Sequence, residues 1–208
     1  MTIAFDAVAS ASGSTIESLS WSHTVGASGA TLIVQACAHT GTNPTGDVTA
    51  SYNGVSMTKI ANTELFSAPL YVCQFVLFNP PTGAHTVEIQ GYLASSTLEG
   101  GSLSWTGVGS VANGTTANAT SIAVSSASGH EVVGIGNAVG ESGGYGTGNT
   151  QQWTQNSFAQ GISQSSSGAT TTLTTTNSLG GNIMSGVDLV PSTVSPNNGF
   201  LSLIDCGT

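Results

Sequence analysis

The sequence almost lacks positive charge. Its 208 residues include ten Asp and Glu but only one Lys or Arg, Lys59, so the formal net charge is −9 with His counted as neutral. Proteins that bind nucleic acid or anionic membranes use many Lys and Arg side chains, and basic clamps usually stabilise phosphoryl transfer. The composition therefore excludes a nucleic-acid partner and a membrane surface, and it argues against phosphate-ester chemistry.

Long apolar runs and the usual helix-surface residues are also missing. No stretch of about 18 apolar residues predicts a transmembrane helix, and Met1 to Asp6 lacks the basic and apolar regions of a secretory signal. Ser, Thr, Asn and Gly are abundant instead, as is typical of strands and turns. Such a surface suits a protein that works outside a cell. We expect either a virion component released by lysis or a mature fragment whose signal has been removed.

The three cysteines, Cys37, Cys73 and Cys206, are odd in number and far apart. This argues against a disulfide framework and against a structural zinc site. Cys37 and Cys73 lie in apolar runs, so we expect both to be buried strand residues. A bridge between them stays open if their strands pair.

Apolar periodicity predicts about a dozen short strands and no amphipathic helix. Residues 15–25 alternate apolar with hydroxyl side chains, whereas 31–39 and 70–78 are almost continuously apolar. Asn53-Gly54 predicts a type I′ hairpin between 48–52 and 55–60. Further strands are expected at 3–8, 84–90, 98–106, 122–124, 131–138, 169–176 and 183–190. This pattern predicts an all-β, two-sheet antiparallel sandwich of the jelly-roll type.

The strand pattern stops near Pro191. We expect residues 1–190 to form a single β-sandwich domain and 191–208 to form a C-terminal tail. Residues 140–150, with five glycines and Tyr145, are expected to form an exposed loop. Ser-Leu-Ser-Trp occurs at 18–21 and again at 102–105, which is compatible with a duplicated half-domain or with chance.

Motifs of known catalytic chemistry are missing from the sequence, including a nucleophile elbow, a zinc-protease helix and a P-loop. The four histidines are expected to be hydrogen-bonded structural residues: His23, His39, His85 and His130. Three strand carboxylates are expected to face solvent: Glu88, Glu99 and Glu131. We therefore expect no catalytic residues, no cofactor and no metal site.

Two aromatic residues flank the Gly- and Asn-rich segment and are candidates for binding a neutral ligand. Tyr145 and Trp153 could stack on sugar rings while nearby Asn and Gln side chains bind hydroxyl groups. The alternative for Trp153 is a buried ring that anchors the loop to the core. A carbohydrate-binding or adhesion module, on a phage tail or a bacterial surface, is accordingly a second interpretation.

Seven segments, taken in order along the chain, resemble a known module. They are residues 18–24, 32–34, 48–58, 77–87, 104–108, 129–133 and 186–189. Together they resemble a jelly-roll module of tailed-bacteriophage virion proteins, of the head-decoration and minor-tail type, which also occurs in some bacterial surface proteins. The resemblance covers about residues 5–190 and brings no catalytic residues. It implies a non-enzymatic virion protein, assembled in the host cytoplasm, with a capsid decoration protein as the expected form.

The partners of such a protein are the major capsid protein or neighbouring virion subunits. A homo-oligomer is expected, with a trimer favoured, because neutral Ser and Thr faces carry no charge to desolvate on burial. Six tail residues are the predicted docking contacts: Pro191, Pro196, Phe200, Leu201, Leu203 and Ile204. The alternative is that this stretch adds a strand to its own sheet. A glycan-cleaving enzyme is the third interpretation and needs two carboxylates in one cleft.

Overall fold

The computed structural model describes residues 1–14, 16–91, 97–138, 145–155, 159–176 and 182–193. Within these ranges the chain is all-β, and every strand pair is antiparallel. The strands are β1 (Ala4–Ser14), β2 (Ser18–Val25), β3 (Thr31–His39), β4 (Thr49–Tyr52), β5 (Val55–Ser56), β6 (Thr58–Lys59), β7 (Leu65–Ser67), β8 (Leu70–Phe78), β9 (Gly83–Gln90), β10 (Thr97–Thr106), β11 (Val108–Ala117), β12 (Ser121–Ser125), β13 (Glu131–Ala138), β14 (Thr150–Gln155), β15 (Ala159–Ser165), β16 (Thr170–Thr174) and β17 (Asn182–Pro191). The all-β, antiparallel prediction is confirmed.

The strands form four hydrogen-bonded sheets rather than the expected two. Sheet A has the order β1-β10-β3-β8-β6, with β7 also paired to β8, and sheet B has the order β2-β9-β4-β5. Sheet C has the order β11-β17-β13-β15-β14, and sheet D is the pair β12-β16. Residues 4–106 therefore supply sheets A and B, and residues 108–191 supply sheets C and D.

Three apolar clusters place the sheets in the stack B–A–C–D. The first cluster joins sheets A and B through Val34, Phe75, Trp21 and Val87, among others. The second joins sheets A and C through Ile33, Val76, Ile135 and Leu189, among others. The third joins sheets C and D through Val132, Met184, Ile122 and Leu173, among others.

The central strands of the stack are buried on both faces. β3, β8, β10, β13 and β17 are buried along nearly their whole length, whereas β2, β12 and β16 alternate between buried and exposed residues. A strand covered on both sides needs apolar or small neutral residues at every position. This explains the continuous apolar runs and the glycines of β10, β13 and β17.

The two halves of the chain share one strand order. The path β1-β10-β3-β8 of sheet A matches the path β11-β17-β13-β15 of sheet C, and β2-β9 of sheet B matches β12-β16 of sheet D. In sheet B, β4 lies beside β9; in the second half, Tyr145 forms an antiparallel bridge to Thr175 at the end of β16. The side chain of Asn149 extends this contact, because it donates to Thr172 O and accepts from Thr174 N. The repeated Ser-Leu-Ser-Trp does not mark this correspondence, because it falls in β2 and in β10.

The predicted hairpin turn is confirmed, but its second strand ends at Ser56, and residues 58–59 pair instead with β8 of sheet A. The possible disulfide is not formed. Asn53 and Gly54 both have positive φ, 51° and 74°, as a type I′ turn requires. β3 and β8 do pair, but Cys37 lies opposite Val72 and packs between sheets A and C. Cys73 lies opposite Ala36 and packs between sheets A and B. The two buried thiols therefore point to opposite faces of sheet A, and both are free.

Candidate functional site

The arrangement that most resembles a catalytic triad is buried between sheets A and B. His23 Nδ1 is 2.9 Å from Ser102 Oγ, and His23 Nε2 is 3.1 Å from Ser104 Oγ. Ser104 donates to Asp6 Oδ2 at 2.7 Å, so the carboxylate binds a serine and not the imidazole. Burial lowers the pKa of His23 to about 4 although Asp6 opposes the shift. Since His23 and both serines are buried, the network links β1, β2 and β10 and presents no nucleophile to solvent.

Trp153 is a buried link between the two halves. Its ring is 5% exposed, and Nε1 donates to Gln35 Oε1 at 2.7 Å. Gln35 in turn donates to Gln74, which donates to Ser185 Oγ at 3.0 Å. This neutral chain of buried hydrogen bonds connects sheet C to sheet A. The prediction of Trp153 as a glycan contact is therefore corrected: the ring anchors its strand and cannot stack on a sugar.

Tyr145 is exposed, but it shares no site with Trp153. Its bridge to Thr175 places it at the edge of sheet D, whereas Trp153 lies between sheets A and C. The two predicted aromatic contacts consequently lie in different layers of the stack.

Two of the three carboxylates predicted to face solvent are buried. Glu99 is 1% exposed on β10, between Ser12 and Cys37 of the neighbouring strands, and its oxygens have no hydrogen-bond partner among the described residues. Burial raises the pKa of Glu99 to about 8. Glu131 is also buried and accepts from Ser165 Oγ at 2.7 Å. The prediction fails for both because β10 and β13 are covered on both faces.

The only Lys or Arg of the chain forms a local ion pair. Lys59 Nζ lies 2.7 Å from Glu64 Oε1, which also accepts from the Tyr71 hydroxyl and the Gly46 N–H. Burial alone would raise the pKa of Glu64, but these hydrogen bonds outweigh it and lower the pKa. Within the described ranges, no three His, Cys, Asp or Glu side chains group as ligands for a metal ion. The same ranges contain no helix long and apolar enough to cross a membrane.

Exposed apolar side chains mark one end of sheet A. In register, Phe5 lies opposite Trp105, Trp105 opposite Thr31, and Thr31 opposite Phe78. Trp105 is buried, but Phe5 and Phe78, at the two ends of this cross-strand row, are 44% and 41% exposed. The row lies at the end of the sheet where Gly107 connects the two halves.

Two surfaces lie at this end of sheet A. The first, which we call the β1 strip, consists of three exposed apolar residues at the start of the chain: Met1, Phe5 and Val8. The Phe5 ring packs edge-on against Trp105, with ring centroids 5.1 Å apart. The described chain also ends here. Ser192 donates to Gly107 O at 2.7 Å and accepts from the Met1 amino group at 2.7 Å. The tail therefore leaves the described part of the molecule beside the β1 strip.

The second surface is a cavity of about 550 Å³ that we call the inter-half groove. It is lined by residues 58–62, Val76 and Phe78 of the first half and by residues 111–114 of the second half. β11 contains a register irregularity between Ala112 and Thr115. A Cβ at Gly114 would lie 2.1 Å from Ala61 O, so glycine permits the close approach of the halves at this point.

Of the predicted docking residues, only Pro191 lies within the described part of the chain, where it pairs with Val108 at the end of β17. Five others lie outside the described residues: Pro196, Phe200, Leu201, Leu203 and Ile204. Sequence reasoning did not find the β1 strip or the groove. The signal for the strip is weak, because the bulge between Phe5 and Ala7 breaks the period of two along β1.

No protein family, curated protein or solved structure matches this chain.

Proposed function

We propose that this chain is a non-enzymatic structural protein of a virion, a capsid decoration protein of a tailed bacteriophage. The observation that carries the proposal is the cross-strand row ending in exposed Phe5 and Phe78, at the end of the molecule from which the tail leaves. At the Phe5 end, the exposed side chains of the β1 strip make an apolar patch, and an exposed apolar patch on a soluble protein often contacts a partner. A decoration protein needs such a patch on a neutral, otherwise inert body.

The strand order of the first half supports assignment as a jelly roll. If β6 and β7 are taken as insertions, the remaining eight strands follow the order 1-8-3-6 in sheet A and 2-7-4-5 in sheet B. That order is the one produced by two nested Greek keys. The second half repeats six of these positions, which supports two related rolls stacked through sheets A and C.

The composition of the outer face of sheet D supports packing of this chain against neighbouring subunits in a capsid lattice. Its exposed side chains are small and uncharged: Ser121, Ala123, Ser125, Thr170 and Thr172. A face of this kind can be buried against a neighbouring subunit without desolvating a charge. The proposed partners are the major capsid protein and neighbouring copies, with a cyclic trimer as the favoured form.

In this proposal the β1 strip faces the coat and the tail contacts a neighbouring subunit or the shell. The test is rebinding of purified chain to particles that lack it. Phe5→Ser should raise the dissociation constant for particles by roughly three- to tenfold, because only the 44% of Phe5 that is still exposed can contribute its share of the roughly 1.5–3 kcal/mol that burying a whole side chain is worth. Val55→Ser, which alters a residue 48% exposed on the β4–β5 hairpin, is the matched control and should bind normally. Equal occupancy for the two variants would reject the strip as the particle contact.

A carbohydrate-binding or adhesion module is the second candidate, and Tyr145 is the residue that favours it. Its ring is exposed at the edge of sheet D. Aromatic faces of this kind are suited to stacking on the apolar face of a sugar ring. The described neighbours of Tyr145 on β16 and just after it, Thr174 and Thr175, are uncharged hydroxyl residues, which favours neutral glycans over acidic ones.

A further inference from the structure

We propose that the inter-half groove binds the apolar tail segment, residues 200–204, of a neighbouring copy, and that this exchange joins copies into a closed ring. The inference deepens the proposed structural role and rests on it. It assigns the groove an occupant and gives the oligomer a physical basis.

The lining of the groove matches the chemistry of the segment. Ile60, Val76, Phe78 and Val111 make its apolar surface, and Phe78 keeps 41% of its area exposed. The one charged side chain at the rim, Lys59, is already bound to Glu64 at 2.7 Å. Residues 200–204 read Phe-Leu-Ser-Leu-Ile and carry no charge. An extended segment of this composition can place its side chains in the groove without leaving the Lys59–Glu64 pair unpartnered.

Edge strands on both sides of the groove suit an added strand. β6 pairs with β8 through only two residues, and β11 pairs with β17 alone among the described strands. Edge strands carry unpaired N–H and C=O groups that can bind an incoming backbone. In such strand addition the backbone bonds give affinity and pockets for alternate side chains give specificity.

The direction of the chain at Pro191 favours a neighbouring copy as the source of the segment. Pro191 pairs with Val108, so the tail starts beside the first residue of β11. A tail that turned back along β11 of its own copy would run parallel to that strand. All 13 described strand pairs are antiparallel, and parallel pairing is slightly weaker. A tail from a neighbouring copy can enter in the antiparallel sense.

The reach of the tail permits the exchange. Six residues lie between Thr193 and Phe200, and the seven steps from one to the other span up to about 25 Å in an extended chain. In the proposed exchange, the tail of each copy binds the inter-half groove of the next copy. Because the two contacting surfaces differ, the contact is head-to-tail. Contacts of this kind close into rings when the rotation between copies allows it. A trimer is the expected closed form.

Disulfide trapping tests the exchange directly in the full chain. Cys206 lies two residues after Ile204, and Cys37 and Cys73 are buried. Phe78→Cys places a thiol at the groove, and oxidation should give covalent dimers and trimers on a denaturing, non-reducing gel. Adding Cys206→Ser to this variant should remove them. Wild type and Val55→Cys are the controls and should show only background cross-linking.

The other outcomes overturn the proposal. A disulfide formed within one chain would consume thiols while the protein still runs as a monomer on the non-reducing gel. That result would show that the tail occupies the groove of its own copy. Cross-linking no greater than that of Val55→Cys would show that the groove does not hold the tail.

Light scattering of the purified full chain separates this inference from the proposed function. Leu203→Asp should raise the dissociation constant of the ring at least tenfold, whereas Asn197→Asp, which adds the same charge earlier in the tail, should change it less than twofold. Equal effects would contradict the exchange. If rings form as predicted but never bind particles, the virion role fails and the exchange stands. If Leu203→Asp still forms rings and wild type decorates particles, the exchange fails and the virion role stands.

Discussion

Phe5 and Phe78 lie at opposite ends of one cross-strand row of sheet A, with Trp105 and Thr31 between them. Their partners in the row are buried, yet both phenylalanine rings are partly exposed. The apolar surface that packs sheet A against sheet C therefore reaches the molecular surface at both edges. The proposed assembly contacts are extensions of the core and not separate surface patches.

Replacing Glu99 by Gln should stabilise the protein at alkaline pH. The pKa of Glu99 is raised by burial to about 8 from an ordinary value of 4.5. Folding therefore takes up a proton between these values, and the free energy of unfolding falls as pH rises from about 4.5 to about 8. Glu99→Gln removes this fall and should gain about 1–3 kcal/mol at pH 8. Urea denaturation at pH 5 and pH 8 measures the free energy of unfolding of wild type and Glu99→Gln. Glu88→Gln, at a partly exposed position, is the control. Parallel pH profiles for wild type and Glu99→Gln would contradict the assignment.

Acid should destabilise the protein through His23. Its pKa is lowered by burial to about 4 from 6.5, so the unfolded chain binds a proton more readily than the folded chain does. Stability is then lost as pH falls from about 6.5 to about 4. His23→Gln should lower stability at pH 7 by about 1–2 kcal/mol, through loss of its serine partners, but should remove most of this acid dependence. The test is to compare how the unfolding temperatures of wild type and His23→Gln change between pH 7 and pH 4. His85→Gln, on β9 of the outer sheet B, should keep the wild-type slope; the same slope in His23→Gln would refute the prediction.

A methyl group at Gly161 should disturb the junction between the halves. A Cβ there would lie 2.0 Å from Trp153 Nε1 and 2.5 Å from Gln35 Oε1. Because both groups are buried and hydrogen-bonded, Gly161→Ala should destabilise the fold by about 1–3 kcal/mol. Gly168→Ala, where a Cβ would meet nothing within 4 Å, should change stability by less than about 0.5 kcal/mol. Chemical denaturation of the two variants side by side decides the point, and similar stabilities would mean that the junction is not tightly packed.

If the second candidate function holds, Tyr145→Ala should abolish binding in a neutral-glycan array without changing the unfolding temperature. Trp153→Phe should retain binding, because its ring is enclosed between sheets A and C. A wild-type chain that binds no glycan on the array would remove this candidate.

Local patterns in the sequence predicted local structure well. Asn53-Gly54 fixed a hairpin, and the alternation of Leu19, Trp21, His23 and Val25 correctly indicated one buried face of β2. The stack of four sheets could not be predicted in the same way. A strand buried on both faces, such as β3, gives a continuous apolar run whatever sheets cover it.

Other features depend on pairing register, which the sequence does not display. β11 was missed because Gly109, Asn113 and Gly114 interrupt its pattern, and Glu99 was misplaced because its burial depends on sheet C. The β1 strip and the inter-half groove arise where elements distant in the chain meet. Sequence reasoning pointed to the tail as an assembly segment, but not to any surface that receives it.

The most direct test of the proposed function is density-gradient fractionation of the native source, with quantitative mass spectrometry of this chain. A virion decoration protein should sediment with megadalton particles at a copy number close to that of the major coat protein. A copy number of only a few per particle would indicate a protein of the virion tail and not of the head. Recovery only as free, small species would contradict the virion role.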